Sequence, residues 1–238
     1  MFSVPSRILG ALAEHLSDIA VVRRLVGDQE APRRREYARA AVPLAMMVLL
    51  GVSAASAAPQ NPEEIVAQTS GQVLDALKGE GEGFKEDEQK LYSLVEEVVL
   101  PHFDFRQMSR RVLGPHWRDA TQTQRSRFIA EFKTLLVRTY SNALLEYTDA
   151  TVKIQPVRAE EGARTVIVRT QVEAQGAPSL AINYSMYRAG EAWKVYDVTV
   201  EGVSLVITYR SSFSQEIKRN GLDQLIEQLI SRNGGEQG

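Results

Sequence analysis

Cysteine is absent from the 238 residues of the chain. That absence excludes a disulfide framework, a thiolate zinc site, a cysteine nucleophile and a lipid anchor attached through a thioether. An excess of basic charge is absent too, because the formal net charge is −2 and the pI is about 6.0. We therefore expect no nucleic-acid partner. The hydrophobic fraction of 44% is too high for general disorder and is enough for a sizeable core.

The N-terminal region lacks an apolar run long enough to cross a membrane. Its run over residues 40–52 is about 13 residues long, against the 18 or more of a membrane-spanning helix. A cluster of arginines at positions 33, 34, 35 and 39 precedes this run, and Ala55-Ser56-Ala57 follows it. This is the pattern of a secretory signal peptide, and an uncleaved membrane anchor is the alternative.

We therefore expect residues 1–57 to be an N-terminal extension plus signal peptide, cleaved near Ala57, and residues 58–238 to form a single exported domain. The segment 1–32 is unusually long for the basic part of a signal peptide. It indicates either a start codon assigned too far upstream or a cytoplasmic extension. The exported domain holds 21 basic and 25 acidic residues. It is expected to be a mildly acidic soluble domain that diffuses between membranes.

Motifs of common catalytic sites are also missing. The sequence has no G-x-S-x-G, no H-E-x-x-H, no P-loop and no G-x-G-x-x-G after a strand. Residues 79–83 read GEGEG, and we interpret them as a flexible linker because their acidic side chains would repel phosphate. The sequence also predicts no metal site.

Three residues remain as candidate general acids or bases. His102 and His116 each lie beside a proline near a predicted helix boundary, where a surface or capping role is favoured because the spacing supplies only Asp104 as a partner. Asp197 lies within a predicted strand and could act as a base, or could hold a turn or a cationic group. We favour the structural role.

Helical patterns occupy the first part of the exported domain. Asn61 as N-cap, Pro62 at the first helical position and acidic residues in the first turn predict a helix that begins here. Apolar spacing carries this helix to about Gly79. The same spacing predicts three further helices over residues 86–99, 103–113 and 121–147.

After position 150 the apolar period changes from 3.6 to 2. Strands are predicted over residues 151–159, 164–174, 179–187 and 192–200, separated by hairpin turn residues. Two more helices are predicted over 205–219 and 222–231. The fold class is therefore α+β, with a curved antiparallel sheet of about four strands packed against several helices. The strands and helices carry apolar faces that fit either an ordinary core or the lining of an apolar cavity, since both use the same residue types.

A family resemblance distinguishes these two readings. The chain resembles the MlaC, or toluene-tolerance, family of periplasmic phospholipid-binding proteins. The residues that carry the resemblance are Leu113-Gly114, residues 120–125 (ATQTQR), 140–147 (YSNALLEY), 196–204 (YDVTVEGVS) and 217–229 (IKRNGLDQLIEQL).

The resemblance implies a carrier that encloses phospholipid tails in an apolar cavity. It would shuttle the lipid between an outer-membrane lipoprotein/porin complex and an inner-membrane ABC transporter, without enzymatic activity and without a metal or redox cofactor. The helical residues expected to contact the tails are Phe105, Leu113, Phe132, Leu136 and Tyr140. The strand residues expected to contact them are Val166, Val168, Val172, Leu180, Ile182, Tyr184, Val198 and Val200.

Arg106, Arg110 and Arg111 could form a basic face near the mouth for a phosphate or for a docking partner, although a solvated helix face is the simpler interpretation. Two other functions stay open at this point. One is a periplasmic adaptor domain without bound lipid, and the other is a small α+β hydrolase or isomerase.

Overall fold

The computed structural model of the protein describes residues 61–158, 162–175 and 178–234. The predicted extension and signal peptide over 1–57 lie outside the described residues, so they and the domain boundary stay predictions. None of the helices in the described part combines the length and the apolarity needed to cross a bilayer.

The predicted α+β class is confirmed. The described ranges contain seven α-helices: α1 (Pro62–Glu86), α2 (Glu88–Leu94), α3 (Phe105–Leu113), α4 (His116–Asp119), α5 (Gln122–Ser141), α6 (Leu205–Asn220) and α7 (Leu222–Gly234). A π-helical turn, Val95–Val99, continues α2 and leads into the short 3₁₀ segment Leu100–His102. A longer 3₁₀ segment, Asn142–Tyr147, continues α5.

Five strands form one antiparallel sheet in the order β1-β2-β3-β4-β5. They are β1 (Thr151–Gln155), β2 (Thr165–Glu173), β3 (Leu180–Ala189), β4 (Ala192–Val200) and β5 (Val203–Ser204). The first four are the predicted strands. The two-residue β5 is too short to leave an alternating pattern in the sequence.

Helix starts follow from local capping chemistry. The Glu63 N–H donates to Asn61 Oδ1 at 3.1 Å, as the predicted cap requires. The Gln124 N–H donates to Thr121 Oγ1 at 3.2 Å while the Thr121 N–H donates to Gln124 Oε1 at 2.9 Å, which completes a capping box at the start of α5.

The prediction of a flexible linker at residues 79–83 is wrong. Helix α1 continues through this segment to Glu86, with a kink at Glu80 (φ −125°, ψ 18°). Phe84, which is 4% exposed, lies two turns after Leu77, which is 1% exposed, so both face the same side of α1. Burial of Phe84 offsets the helix-propensity cost of the glycines, about 1 kcal/mol each.

The strand register brings alternate side chains to one side of the sheet, which we call the inner face. Val166, Val168, Thr170 and Val172 of β2 pair with Met186, Tyr184, Ile182 and Leu180 of β3. A register shift between Ser185 and Met186 places Val195 and Val198 of β4 on this face although they are three residues apart. Val152, Ile154 and Val200 complete it.

Two separate clusters of buried apolar side chains support the fold. The main core joins the helices α3, α5, α6 and α7 to the inner face of the sheet, and includes Phe128, Phe132 and Phe213 with their rings in contact. The second cluster is built by α1, α2 and the segments that continue α2 and α5, around Val73, Leu77, Phe84 and Leu91. The second cluster is much the smaller of the two, as a satellite beside a main core usually is.

Candidate functional site

One end of the inner face is closed by the main core. Val168 and Met186 are 0% exposed and Val195 is 2% exposed. Helices α3 and α6 pack against β4 at this end and supply buried residues such as Met108 and Tyr209. Side chains from sheet and helices meet here, so this end is ordinary protein interior.

The other end of the inner face is not closed in this way. Leu180, Ile182 and Tyr184 lie on β3, the central strand of the sheet, and still keep solvent-accessible surface. Val200, which is paired with Ile182, and Ile154 of β1 are partly accessible as well. Apolar side chains at the centre of a sheet are normally covered, so accessible surface here indicates space above them.

Tyr184 lies at the boundary between the two ends. Burial raises the pKa of Tyr184 to about 12, and its hydrogen bond with Thr170 partly opposes that rise. Thr170 in turn donates from Oγ1 to the Ile182 carbonyl oxygen at 2.8 Å. Tyr184 is therefore largely desolvated although it keeps some accessible surface. Thr170 and Tyr184 thus bring two hydroxyl groups to the inner face.

The second cluster also has an accessible apolar edge. Its partly buried members are Leu74, Ala76, Leu94, Val98, Val99, Leu144 and Leu145. Helix α1 packs against β1 and β2, and the segment with Leu144 and Leu145 directly continues α5. Tyr140 lies one turn before Leu144. Burial, together with the neighbouring Tyr209, raises the pKa of the Tyr140 hydroxyl. Hydrocarbon is the chemistry that suits such an apolar edge.

Eleven of the thirteen predicted tail-contacting residues belong to the main core or pack against it. The fully packed ones are Leu113, Phe132, Leu136, Val166, Val168 and Val198. The partly accessible ones are Phe105, Tyr140, Ile182, Tyr184 and Val200. The other two, Val172 and Leu180, pair with each other across β2 and β3. Contact of these residues with lipid stays a prediction.

The edge of the second cluster is the part of the candidate site that sequence reasoning missed. Val98 and Leu144 are visible in the sequence as members of helical stripes. Their periodicity gives the side of the helix that is buried, but it does not indicate that this side belongs to a separate cluster. That distinction depends on tertiary packing.

The three predicted arginines are all exposed on α3. The guanidinium carbon of Arg111 lies 4.1 Å from the centre of the Tyr196 ring, which holds this side chain against β4. In the described ranges no carboxylate lies within 4.0 Å of Arg106, Arg110 or Arg111. Their arrangement fits either a docking face or a solvated helix face.

Asp197, one of the three candidate bases, has a structural position. Asp197 accepts from Ser204 Oγ at 2.6 Å through Oδ2 and from the Val206 N–H at 3.1 Å through Oδ1, so it caps the start of α6. The predicted structural role of Asp197 is confirmed. Burial, followed by the charge of Lys194, lowers the pKa of His102. Among the described residues no three His, Asp or Glu side chains converge as metal ligands.

Comparison with known proteins identifies the family of the chain. The MlaC protein family matches residues 67–231, which is most of the chain. The chain belongs to the MlaC family. This result confirms the resemblance seen in the sequence.

Relatives within and around the MlaC family agree with this assignment. The toluene tolerance protein ttg2D of Pseudomonas putida is 28% identical over 179 residues, covering 75% of this chain and 83% of that protein. The intermembrane phospholipid transport system binding protein MlaC of Haemophilus influenzae is 21% identical over 181 residues, covering 75% of this chain and 85% of that protein.

A solved structure shares the fold. It is the phospholipid-binding protein from Ralstonia solanacearum in complex with a phospholipid, which is 32% identical in sequence and superimposes with a TM-score of 0.69. The match covers 74% of this chain and 98% of that one. The family assignment, the α+β fold and a neighbour that holds phospholipid thus agree.

Proposed function

We propose that this MlaC-family protein is a periplasmic phospholipid carrier. In this proposal the protein encloses the acyl tails of one lipid molecule and shuttles it between an outer-membrane lipoprotein/porin complex and an inner-membrane ABC transporter. The headgroup stays in water at the mouth of the site, so selectivity for the headgroup is weak. The carrier performs no covalent chemistry.

The observation that carries this proposal is the partly accessible apolar end of the inner face. Ile182 and Val200 keep accessible surface on central strands, while Leu74 and Leu144 do so on the second cluster. Apolar surface left open to water is costly. A ligand tail between the two clusters would cover both edges.

The energetics of lipid transfer explain the need for such a site. Each buried CH₂ group contributes ~0.8 kcal/mol, so exposing a ~16-carbon tail to water costs on the order of 12 kcal/mol. Unassisted transfer between two membranes is therefore very slow. A carrier lowers this cost by replacing water around the tail with apolar side chains such as Ile182 and Val200.

The relatives support the ligand class and the role. The Ralstonia protein was solved in complex with a phospholipid, and the Haemophilus protein is named as the binding protein of an intermembrane phospholipid transport system. At 32% identity over nearly the whole of the Ralstonia chain, the same ligand class is the expectation for this protein.

The test is the lipid content of the protein as it is purified. Protein is prepared from the periplasm without detergent, extracted with organic solvent, and its lipids are quantified by mass spectrometry. We expect phospholipid at a constant molar ratio to protein across preparations. Extracts without phospholipid would contradict the carrier and support the adaptor alternative.

A pair of variants locates the lipid. Ile182→Trp fills the accessible end of the inner face, whereas Ile167→Trp adds the same ring on the opposite face of the sheet, where Ile167 is 43% exposed. We expect Ile182→Trp to lose most of its bound phospholipid and Ile167→Trp to keep it. Equal lipid content in the two folded variants would place the ligand elsewhere.

A further inference from the structure

The turn between β4 and β5 has an unusual backbone. Glu201 and Gly202 join the paired residues Val200 and Val203, and their φ angles are +49° and +84°. Two positive φ angles are typical of a type I′ hairpin turn, which normally has asparagine, aspartate or glycine at its first position. Within the described ranges Glu201 is the one residue other than glycine with a positive φ. Because glutamate is strained in this conformation, its position here indicates that the side chain has a role.

The Glu201 side chain replaces a backbone acceptor at the end of the sheet. Ile182 and Val200 are the last regular pair of the β3–β4 ladder. In a regular ladder the next two residues would exchange two N–H···O bonds between their backbones. Here the Glu201 N–H donates to the Ala181 carbonyl oxygen at 2.9 Å, but the Ala181 N–H donates to Glu201 Oε1. Both backbone groups of Ala181 are therefore bonded to one residue.

This contact lies at the accessible end of the inner face. Leu180 and Ile182 are the two neighbours of Ala181, and Val200 directly precedes Glu201. All three apolar side chains keep accessible surface. Side chains alternate along a strand, so Ala181 does not itself lie on the inner face. The bonds to its backbone nevertheless fix the strand on which Leu180 and Ile182 are carried.

Glu201 also lies near the segment that continues α5. Tyr147 is the last residue of that 3₁₀ segment, which carries Leu144 and Leu145 of the second cluster. Burial, followed by the charges of Glu146 and Glu201, raises the pKa of the Tyr147 hydroxyl. The Glu201 carboxylate is thus bonded to the start of β3 and lies close to the end of the segment.

We propose that Glu201 is a positioning residue of the lipid site, which fixes the start of β3 and thereby slows the entry and release of a phospholipid tail. Passage of a tail beside Leu180 and Ile182 requires this end of the sheet to open locally. Local opening costs more free energy when both backbone groups of Ala181 are bonded, and a charged acceptor strengthens one of these bonds. This inference rests on the proposed function, because it assigns a role within the same site.

The test compares three substitutions of Glu201 with a matched control. Glu201→Ala removes the acceptor. Glu201→Asn suits a positive φ but is one methylene shorter, whereas Glu201→Gln keeps an acceptor oxygen at the same reach. The control is Glu173→Ala, because Glu173 lies at the same end of the sheet and its carboxylate pairs with Lys153 at 2.6 Å instead of with β3.

The measured quantity is the rate of phospholipid release. Each protein is loaded with phosphatidylglycerol that carries a pyrene-labelled tail and is mixed with phosphatidylcholine vesicles that contain a quenching lipid. Loss of pyrene fluorescence reports release. Hydrogen exchange of residues 180–182 and urea unfolding are measured on the same proteins, so that local opening is separated from a general loss of stability.

We expect Glu201→Ala and Glu201→Asn to release the lipid about tenfold faster, as the loss of a hydrogen bond to a charged group allows. Hydrogen exchange of residues 180–182 should rise in both. Glu201→Gln and Glu173→Ala should stay within about twofold of the unchanged protein. Relief of backbone strain should keep the global stability of Glu201→Asn close to that of the unchanged protein.

Two results would overturn the inference. Unchanged release by folded Glu201→Asn would show that Glu201 serves only the turn. Release by Glu201→Gln or Glu173→Ala that is as fast as release by Glu201→Ala would show that the negative charge matters, and that the bond to Ala181 does not.

The unchanged protein separates this inference from the proposed function. If it binds the labelled phospholipid and all four variants release it at the same rate, the positioning role is refuted and the carrier stands. If the unchanged protein neither carries phospholipid nor takes up the labelled one, the carrier fails, and the role of Glu201 fails with it.

Discussion

The inner face of the sheet has two ends that are made of the same kinds of residue and differ in what covers them. Met186 and Val168, at one end, are 0% exposed beneath the helices. Ile182 and Val200, at the other, keep accessible surface. The first end secures the fold by close packing, and the second is left available for a ligand. The difference teaches that an apolar face serves stability or binding according to the elements opposite it.

The largest expected effect comes from shortening one side chain at each end of the inner face. Met186 and Ile182 lie on the same face of the same strand. Met186→Ala should lower the free energy of unfolding by about 3 kcal/mol because it leaves a cavity in packed interior. Ile182→Ala should cost about 1 kcal/mol in lipid-free protein, because Ile182 loses fewer contacts. Urea unfolding of both variants measures the two losses in the free energy of unfolding. Equal losses would contradict the difference in packing between the two ends of the inner face.

Removal of the ligand should affect only one of the two ends. At a lipid concentration about 100 times the Kd, bound phospholipid stabilises the folded state by about 2.7 kcal/mol, so delipidated protein should unfold at lower urea concentration. Hydrogen exchange should rise in residues 180–184 and 142–147 and stay unchanged in residues 166–168. Uniform changes across both ends would show that the ligand does not bind selectively at the accessible end.

A third prediction concerns the acidic residue of β4. Asp197→Asn weakens the hydrogen bonds that Asp197 accepts from Ser204 and from the Val206 N–H. We expect a loss of about 1–2 kcal/mol in the free energy of unfolding, as for other helix caps, with the amount of bound phospholipid unchanged. A stable variant that accumulates unprocessed lipid would instead support the enzymatic alternative.

The smallest expected effect is a pH dependence of folding stability. It arises from Tyr184, which lies at the boundary between the two ends of the inner face. Burial raises the pKa of Tyr184 to about 12, whereas an unfolded tyrosine titrates near 10. Between these values the unfolded chain loses this proton and the folded protein keeps it, so stability is lost as the pH rises. At pH 11 the contribution of Tyr184 is about 1 kcal/mol.

Tyr184→Phe tests that contribution directly. The variant should lose less stability than the unchanged protein between pH 9 and pH 11, by about 1 kcal/mol. The measurement is urea unfolding at the two pH values. Identical losses in both proteins would show that Tyr184 is not desolvated at the boundary.

Much of the fold could be predicted because its signals are local. The Asn61 cap and the capping box at Thr121 involve residues two and three positions apart. The strand faces follow from alternation. The glycine-rich segment at 79–83 was mispredicted because the burial of Phe84 in the second cluster, which keeps the segment helical, depends on residues distant in the sequence.

The candidate site could be predicted only in part. Alternation assigns Val168 and Ile182 to one face of the sheet, and this is where the structure places them. It does not reveal that helices cover Val168 completely and leave Ile182 partly accessible. The coverage of a face depends on how helices distant in the sequence pack, and no periodicity records it.

The most direct test of the account is to locate a bound acyl chain. Purified protein is loaded with a phospholipid that carries a photoreactive diazirine on its tail, irradiated, and digested for mass spectrometry. The account predicts adducts on both walls of the proposed site, at Ile182 or Val200 of the inner face and at Leu144 or Leu74 of the second cluster. Adducts confined to exposed apolar residues such as Ile167 and Ile207 would contradict it.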